Sequence, residues 1–146
     1  MGDFPFALIA SVSAQILCQA FKAVFYSVRE RRFAPCYFTS PGGVPSAHSA
    51  FVTALSVAVG MRNGFFSDIF AVCFVFAAIV VYDAFRLRGA VGKHAELLNR
   101  LTARHFPGEH ENLSEMVGHS PPEIITGIAA GGIFSFIVTT VLINTF

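Results

Sequence analysis

An all-α bundle of membrane-spanning helices, forming a single domain over residues 1–146, is the fold this sequence predicts. Three observations predict it. Only 13% of the residues are charged and 54% are hydrophobic, whereas a water-soluble domain carries about 25% charged residues. Apolar runs of about the length needed to span a bilayer recur along the chain. Short polar turns and one longer polar stretch separate these runs, without internal repeats or low-complexity tracts. About four transmembrane helices and one interfacial amphipathic helix are expected.

The first span runs from Phe4 to Val28. A secretory signal would open on basic residues and close on a small-residue cleavage site. Here acidic Asp3 precedes the run and the apolar stretch is of spanning length, so a retained helix is expected. Gly2 lacks the Ser or Thr of a myristoylation signal, Phe6 standing in its place. Along this span Ser11, Gln15, Gln19, Lys22, Tyr26 and Arg29 recur every three or four residues. At roughly 100° per residue they fall within about 80° of one another. Polar groups facing lipid are costly, so this stripe is expected to face the bundle interior. For the serine and glutamines, interhelical hydrogen bonding suffices. For Lys22 an anionic partner is required.

Ser46–Met61 forms a second, short span, closed by the polar turn Arg62-Asn63-Gly64. The third, Phe65–Tyr82, is rich in Phe, Val and Ala. From Arg86 the chain turns polar. Val91, Ala95, Leu98 and Leu101 fall on one helical face, with Lys93, Glu96, Asn99 and Arg100 elsewhere, the pattern of a helix lying in the membrane interface. His105 to Gly118 reads as a loop. The last span, Pro121–Phe146, opens on two prolines, which a helix start tolerates. Its Gly127-x-x-x-Gly131 motif predicts close helix packing. Trp is absent, so Tyr and Phe must supply any aromatic belt. A net charge of +1 and no basic run argue against a nucleic-acid partner. Cys18, Cys36 and Cys73 are too few for a disulfide framework and read as structural.

Counting helices gathers the polar clusters on one membrane face. The first helix ends there at Arg29, and the loop to His48 lies there. The third helix arrives with Asp83, Arg86 and Arg88, and the last departs from His119 and Glu123. Such convergence is most simply explained by an active site. Lys22, Arg29 and Arg88 are cations with few nearby anions. The Pro45-Ser46-Ala47-His48 stretch opens a helix whose N-terminus is suited to phosphate. His119 and Glu123, spaced i, i+4, can pair, which fixes the imidazole tautomer and leaves one nitrogen free to attack. His48 is suited to protonate a leaving alkoxide. Each residue alone has a plainer role: a helix-end hydrogen bond for a histidine, headgroup anchoring for an arginine, pairing with Arg86 or Arg88 for Asp83.

At these residues the sequence resembles the type 2 phosphatidic acid phosphatase superfamily, which includes vanadium-dependent haloperoxidases. It is most similar to that superfamily's divergent branch of small bacterial and plastid membrane proteins. The first superfamily motif, Lys, six residues, Arg-Pro, is matched at Lys22 and Arg29, with Glu30 in place of the proline. The second, Pro-Ser-Gly-His, stands as Pro45-Ser46-Ala47-His48. Of the third, Ser-Arg, five residues, His, three residues, Asp, only His119 and Glu123 remain; Leu113 occupies the arginine position. The divergent branch is matched instead at Tyr82-Asp83-Ala84, Arg88, Gly92-Lys93 and Gly118-His119-Ser-Pro-Pro-Glu123.

The resemblance implies hydrolysis of a lipid phosphomonoester or diphosphate through a phosphohistidine on His119, without metal or cofactor. Glu123 orients His119 and His48 is the acid. Lys22, Arg29, Arg88 and the backbone near Ser46 and Ala47 hold phosphate, with Asp83 in the same site. Phosphatidylglycerol phosphate, phosphatidate and polyprenyl phosphates are the candidate substrates, with the first favoured. The altered third motif favours a rival, a lipid-phosphate binder or transporter without turnover. Two further rivals are weaker: a metal site from His105, Glu109, His110 and Glu111, which lack ligand-grade spacing, and a haloperoxidase, for which a lipid-buried site is poor. Membrane lipids are the expected surroundings, and a bundle this small leaves room for a homodimer. The excess of Arg and Lys on the motif side is expected to place that side in the cytoplasm, and the resemblance implies a bacterial cytoplasmic membrane.

Overall fold

A computed structural model of the chain describes residues 5–40, 42–106, 112–115 and 117–145. Their regular structure is helical. In order they form α1 (Phe6–Arg29), a 3-10 turn (Pro35–Phe38), α2 (Ala47–Asn63), α3 (Asp68–Tyr82), a π-helical segment (Asp83–Leu87), α4 (Arg88–His105) and α5 (Pro121–Thr145). The protein is an integral membrane bundle. Among the described residues three helical runs are long and apolar enough to cross a membrane: α1, the continuous run Asp68–His105, and α5.

The remaining span, α2, has 17 residues. At 1.5 Å per residue it reaches about 26 Å, short of a hydrocarbon core of about 30 Å. It is nevertheless the centre of the bundle. Ala47 to Met61 contains no exposed residue, because α1, α3 and α5 all pack on it. Its alanines and serines permit close approach by these neighbours. Ser46 caps its start by accepting from the Ser49 N–H. Gly64 closes its end at φ 89°, a conformation that suits glycine. Three residues later Ser67 caps α3, accepting from the Phe70 N–H.

The α1 stripe faces inward as its spacing predicts. Ser11 and Lys22 are buried and Gln15, Gln19 and Tyr26 half-buried, while Leu8, Val12, Ile16, Phe21 and Val24 are exposed to lipid. Arg29, at the end of the stripe, is exposed. The glycine motif of α5 does what its spacing predicts. A Cβ on Gly127 would stand 2.4 Å from the Ser46 carbonyl oxygen, and one on Gly131 would stand 2.3 Å from that of Ala50. Only glycine lets α5 touch the α2 backbone there.

The amphipathic helix expected after the third span is present as α4. α3 continues through the π segment into α4 without a break, as one run of 38 residues. Within α4, Ala95 is buried but Val91, Leu98 and Leu101 stay exposed. The residues of α4 buried against the protein are the small ones, Gly92 and Ala95. The outer ends expected for the first and last spans, Phe4 and Phe146, lie outside the described residues.

Candidate functional site

The C-terminal end of α1, the start of α2, the π segment and the start of α5 meet at one end of the bundle. The opposite end carries Arg62 of α2, whose guanidinium lies 4.5 Å over the Phe6 ring at the start of α1. The convergence expected from helix counting is therefore realised.

Lys22 is 1% exposed. A buried ammonium needs partners for its donors, and Lys22 finds them in the following loop, donating to the Ser40 carbonyl at 3.0 Å and the Gly42 carbonyl at 3.1 Å. These bonds tie the loop to α1. Gly43 packs on Tyr26 with φ +93°, where a Cβ would come within 3.0 Å of the Tyr26 hydroxyl. Tyr26 in turn stacks on Tyr37, ring centroids 4.4 Å apart. The Tyr37 hydroxyl donates to Glu30, which also accepts from Arg32 Nε at 2.7 Å. Those hydrogen bonds, that of Tyr37 foremost, hold the Glu30 carboxyl below its usual range. The residue standing where the superfamily has proline thus helps to fasten this loop.

The loop delivers Ser46 to the start of α2. Its N–H donates to the Glu123 carbonyl at 3.0 Å, joining the beginnings of α2 and α5. Its Oγ takes the Ser49 N–H, while Ala47 and His48, in the first turn, have N–H groups with no intrahelical carbonyl to reach. Ala47 is buried and His48 half-buried. The His48 ring lies 6.1 Å from that of His119, centroid to centroid.

His119 is held from three directions. Its N–H donates to the Ala84 carbonyl inside the π segment at 3.2 Å. Gly118 beside it lies so close to Gly89 that a Cβ on Gly118 would stand 2.5 Å from the Gly89 Cα. Its Nδ1 meets Glu123 Oε2 at 2.9 Å. The pairing expected from i, i+4 spacing is present, although His119 precedes α5 instead of lying on it. Glu123 is the third residue of α5, and its carboxylate reaches back over the first turn, also accepting from the Ser120 N–H at 3.3 Å. This is half of a capping box, and the cap, not a helical turn, brings the two side chains together.

With Nδ1–H donating to the carboxylate, Nε2 carries the lone pair. That Nε2 is buried and has no hydrogen-bond partner among the described residues; the same holds for His48 Nδ1. Burial pushes the His119 imidazole below its usual pKa, and the Glu123 hydrogen bond opposes that shift. Arg88 lies near enough for its charge also to disfavour protonation of His119. Its Nε donates to Asp83 Oδ2 at 2.9 Å, so Asp83 orients Arg88.

A cavity of about 500 Å³ opens onto the His119–Glu123 pair, while Lys22, His48, Asp83 and Arg88 are not among the residues of its wall. Its wall contains His119, Ser120 and Glu123, the glycines Gly42, Gly43, Gly89, Gly92 and Gly118, and the charged Lys93, Glu96 and Glu115. In the sequence Lys93 reads both as part of the polar face of an amphipathic helix and as half of the Gly92-Lys93 match to the divergent branch. Gly92 itself packs on the later loop. A Cβ there would stand 2.9 Å from the Glu115 carbonyl oxygen, so the glycine marks where the later loop crosses α4. Arg29 is not among the residues of this wall; its charge acts on Glu30. Leu113, at the position of the missing motif arginine, is exposed, its N–H donating to Asn99 Oδ1.

Among the described residues no group of three or more His, Cys, Asp or Glu side chains is placed to hold a metal ion. Glu109, His110 and Glu111 lie outside the described residues.

Comparison with known proteins adds two findings. A model described as the divergent PAP2 family matches residues 5–134. An uncharacterized membrane protein of Bacillus subtilis (strain 168), YuiD, is 35% identical over 94% of this chain and 93% of its own length. No solved structure matches.

Proposed function

The chain belongs to the divergent PAP2 family, and from that premise we propose that it is a metal-independent membrane phosphatase of lipid phosphates, with its site on the cytoplasmic face. The observation that carries the proposal is the His119–Glu123 pair, which aligns an imidazole and leaves its Nε2 buried and unpartnered beside a second histidine. In this reading Nε2 attacks phosphorus while the bond from phosphorus to the lipid oxygen breaks. A protonated His48 gives its proton to the departing alkoxide. Water then attacks the phosphohistidine, releasing inorganic phosphate and restoring His119.

The transferring phosphoryl group spreads charge over three equatorial oxygens, and stabilising that charge is the main task of the protein. In support, the charges of Lys22 and Arg88 reach both histidines, the N–H groups of Ala47 and His48 open α2, and Lys93 lines the cavity wall. Lys93 is thus a further cation available to the phosphate, beside Lys22, Arg29 and Arg88. The glycine-lined wall leaves room for a phosphorylated headgroup. Phosphatidylglycerol phosphate, phosphatidate and polyprenyl phosphates remain the candidate substrates.

The experiment is a panel of these lipid phosphates in detergent micelles, assayed for phosphate release by the purified protein and by His119→Ala. Wild-type release that persists in chelator, is blocked by vanadate and vanishes in His119→Ala supports the proposal. Release that requires added magnesium overturns the histidine mechanism. Tight binding of a lipid phosphate without release, by protein of intact fold, supports the rival binder or transporter, which the leucine at position 113 favours.

A further inference from the structure

Directly behind the loop that carries the site, an apolar groove of about 340 Å³ runs between α1 and α5. Its wall is made by Leu17, Cys18 and Phe21 of α1, Val44 and Pro45 of the loop, and Thr126 and Ala130 of α5. We propose that this groove receives the hydrocarbon chain of the lipid phosphate, so that the α1–α5 seam is the substrate's chain-binding subsite. The proposal rests on the lipid-phosphatase reading and names which part of the molecule holds the tail.

Continuity with the site is the first argument. Phe21 adjoins Lys22 in sequence, and Pro45 adjoins Ser46. Thr126 Oγ1 donates to the Glu123 carbonyl at 2.9 Å, the same carbonyl that receives the Ser46 N–H. Gly42 and Gly43 line the polar cavity, and the next two residues, Val44 and Pro45, line the groove. One four-residue stretch of loop, Gly42 to Pro45, is therefore the partition between a polar chamber and an apolar one. A molecule with a phosphate at one end and a hydrocarbon at the other matches that division.

The second argument is the packing of α5. Gly127 and Gly131 close the α2–α5 seam until the helices touch backbone to backbone. On the side of α5 toward α1 stand Thr126 and Ala130, whose short side chains do not fill the space against Leu17 and Phe21. Phe21 is 53% exposed, so the groove wall reaches the lipid-facing surface. A chain can enter sideways from the bilayer without the headgroup leaving the polar end.

The test uses Thr126→Phe in the full-length protein. Thr126 is exposed, so the change fills the groove without entering the α2–α5 contact. Wild type and variant are assayed on two substrates with the same phosphate ester, one carrying a long acyl chain and one a two-carbon chain. The ratio of kcat/KM for long over short chain is expected to fall at least tenfold. An unchanged ratio overturns the proposal. A second measurement does not depend on turnover: an alkyl phosphate with a diazirine in its chain is photolysed on the protein and the labelled peptides are mapped. Labelling at residues 17–21 and 126–130, competed by unlabelled alkyl phosphate, is expected. Competed labelling confined to α3 overturns the groove. Labelling in the groove with no phosphate release from any substrate would retain the subsite and reject the phosphatase reading.

Discussion

Replacing Glu123 with glutamine isolates the electrostatic part of the proposed mechanism. The substitution keeps the size of the side chain, and the Ser46 N–H remains bonded to the backbone carbonyl of residue 123, so the joint between α2 and α5 survives. What changes is the 2.9 Å contact to His119 Nδ1. A carboxylate accepts there and compels the proton onto Nδ1. An amide can turn its NH2 toward the ring, which places the proton on Nε2 and removes the lone pair that attacks phosphorus. In a serine protease triad the equivalent loss of a carboxylate lowers kcat by about 10⁴. Here a fall of about 10²–10⁴ is expected, because glutamine can still present its oxygen part of the time. Folding stability should change by only about 1 kcal/mol, the net worth of one hydrogen bond.

The pH profile provides a second reading of the same variant. In wild type, Glu123 holds the His119 pKa up against burial. Removing the carboxylate lets that pKa fall, so the acid limb of the residual activity should move to lower pH. Initial rates of phosphate release from a micellar lipid phosphate, measured across the acid range, check both expectations. Wild-type activity in Glu123→Gln with an unmoved acid limb would refute the role given to the pair.

His48→Ala should cost roughly 10²–10⁴-fold on an alkyl phosphate, as loss of a general acid does, and less on an aryl phosphate whose leaving group needs no proton; equal losses would argue against the acid role. Arg88→Lys should be severely impaired, because lysine lacks the planar fork that can meet Asp83 and an oxyanion together. Arg86→Lys, at an exposed position, should be nearly silent in the same assay, and the reverse outcome would exchange the two roles. Gly131→Ala should destabilise the bundle by about 1–3 kcal/mol through overpacking, since its methyl would meet the Ala50 backbone at 2.3 Å, whereas Gly132→Ala finds its nearest neighbour at 3.7 Å and should be neutral; reversible unfolding in mixed micelles compares them. Cys36 is exposed and lies in the loop after α1. If that loop is cytoplasmic, an impermeant thiol reagent should label Cys36 only after cells are opened; labelling of intact cells would reverse the orientation.

Much of this protein is decided by local rules that act along one chain. A deficit of charge requires a lipid-facing surface. The three- and four-residue spacing from Ser11 to Tyr26 requires one inward face of α1, and Gly127 with Gly131 requires a close crossing. Helix counting alone brings His48, His119 and Lys22 to the same end. Periodicity specifies which residues share a face, but not which neighbour that face meets. Only the tertiary structure made the short α2 the hub, because enclosure depends on three partners packing around it. It also ran α3 into α4 through a π segment whose Ala84 carbonyl anchors His119, and it brought Lys93 to the cavity wall while leaving Arg29 exposed. Those outcomes depend on where backbones from distant parts of the chain touch, as Gly118 touches Gly89, and that distance is a property of the packed bundle that no local spacing encodes.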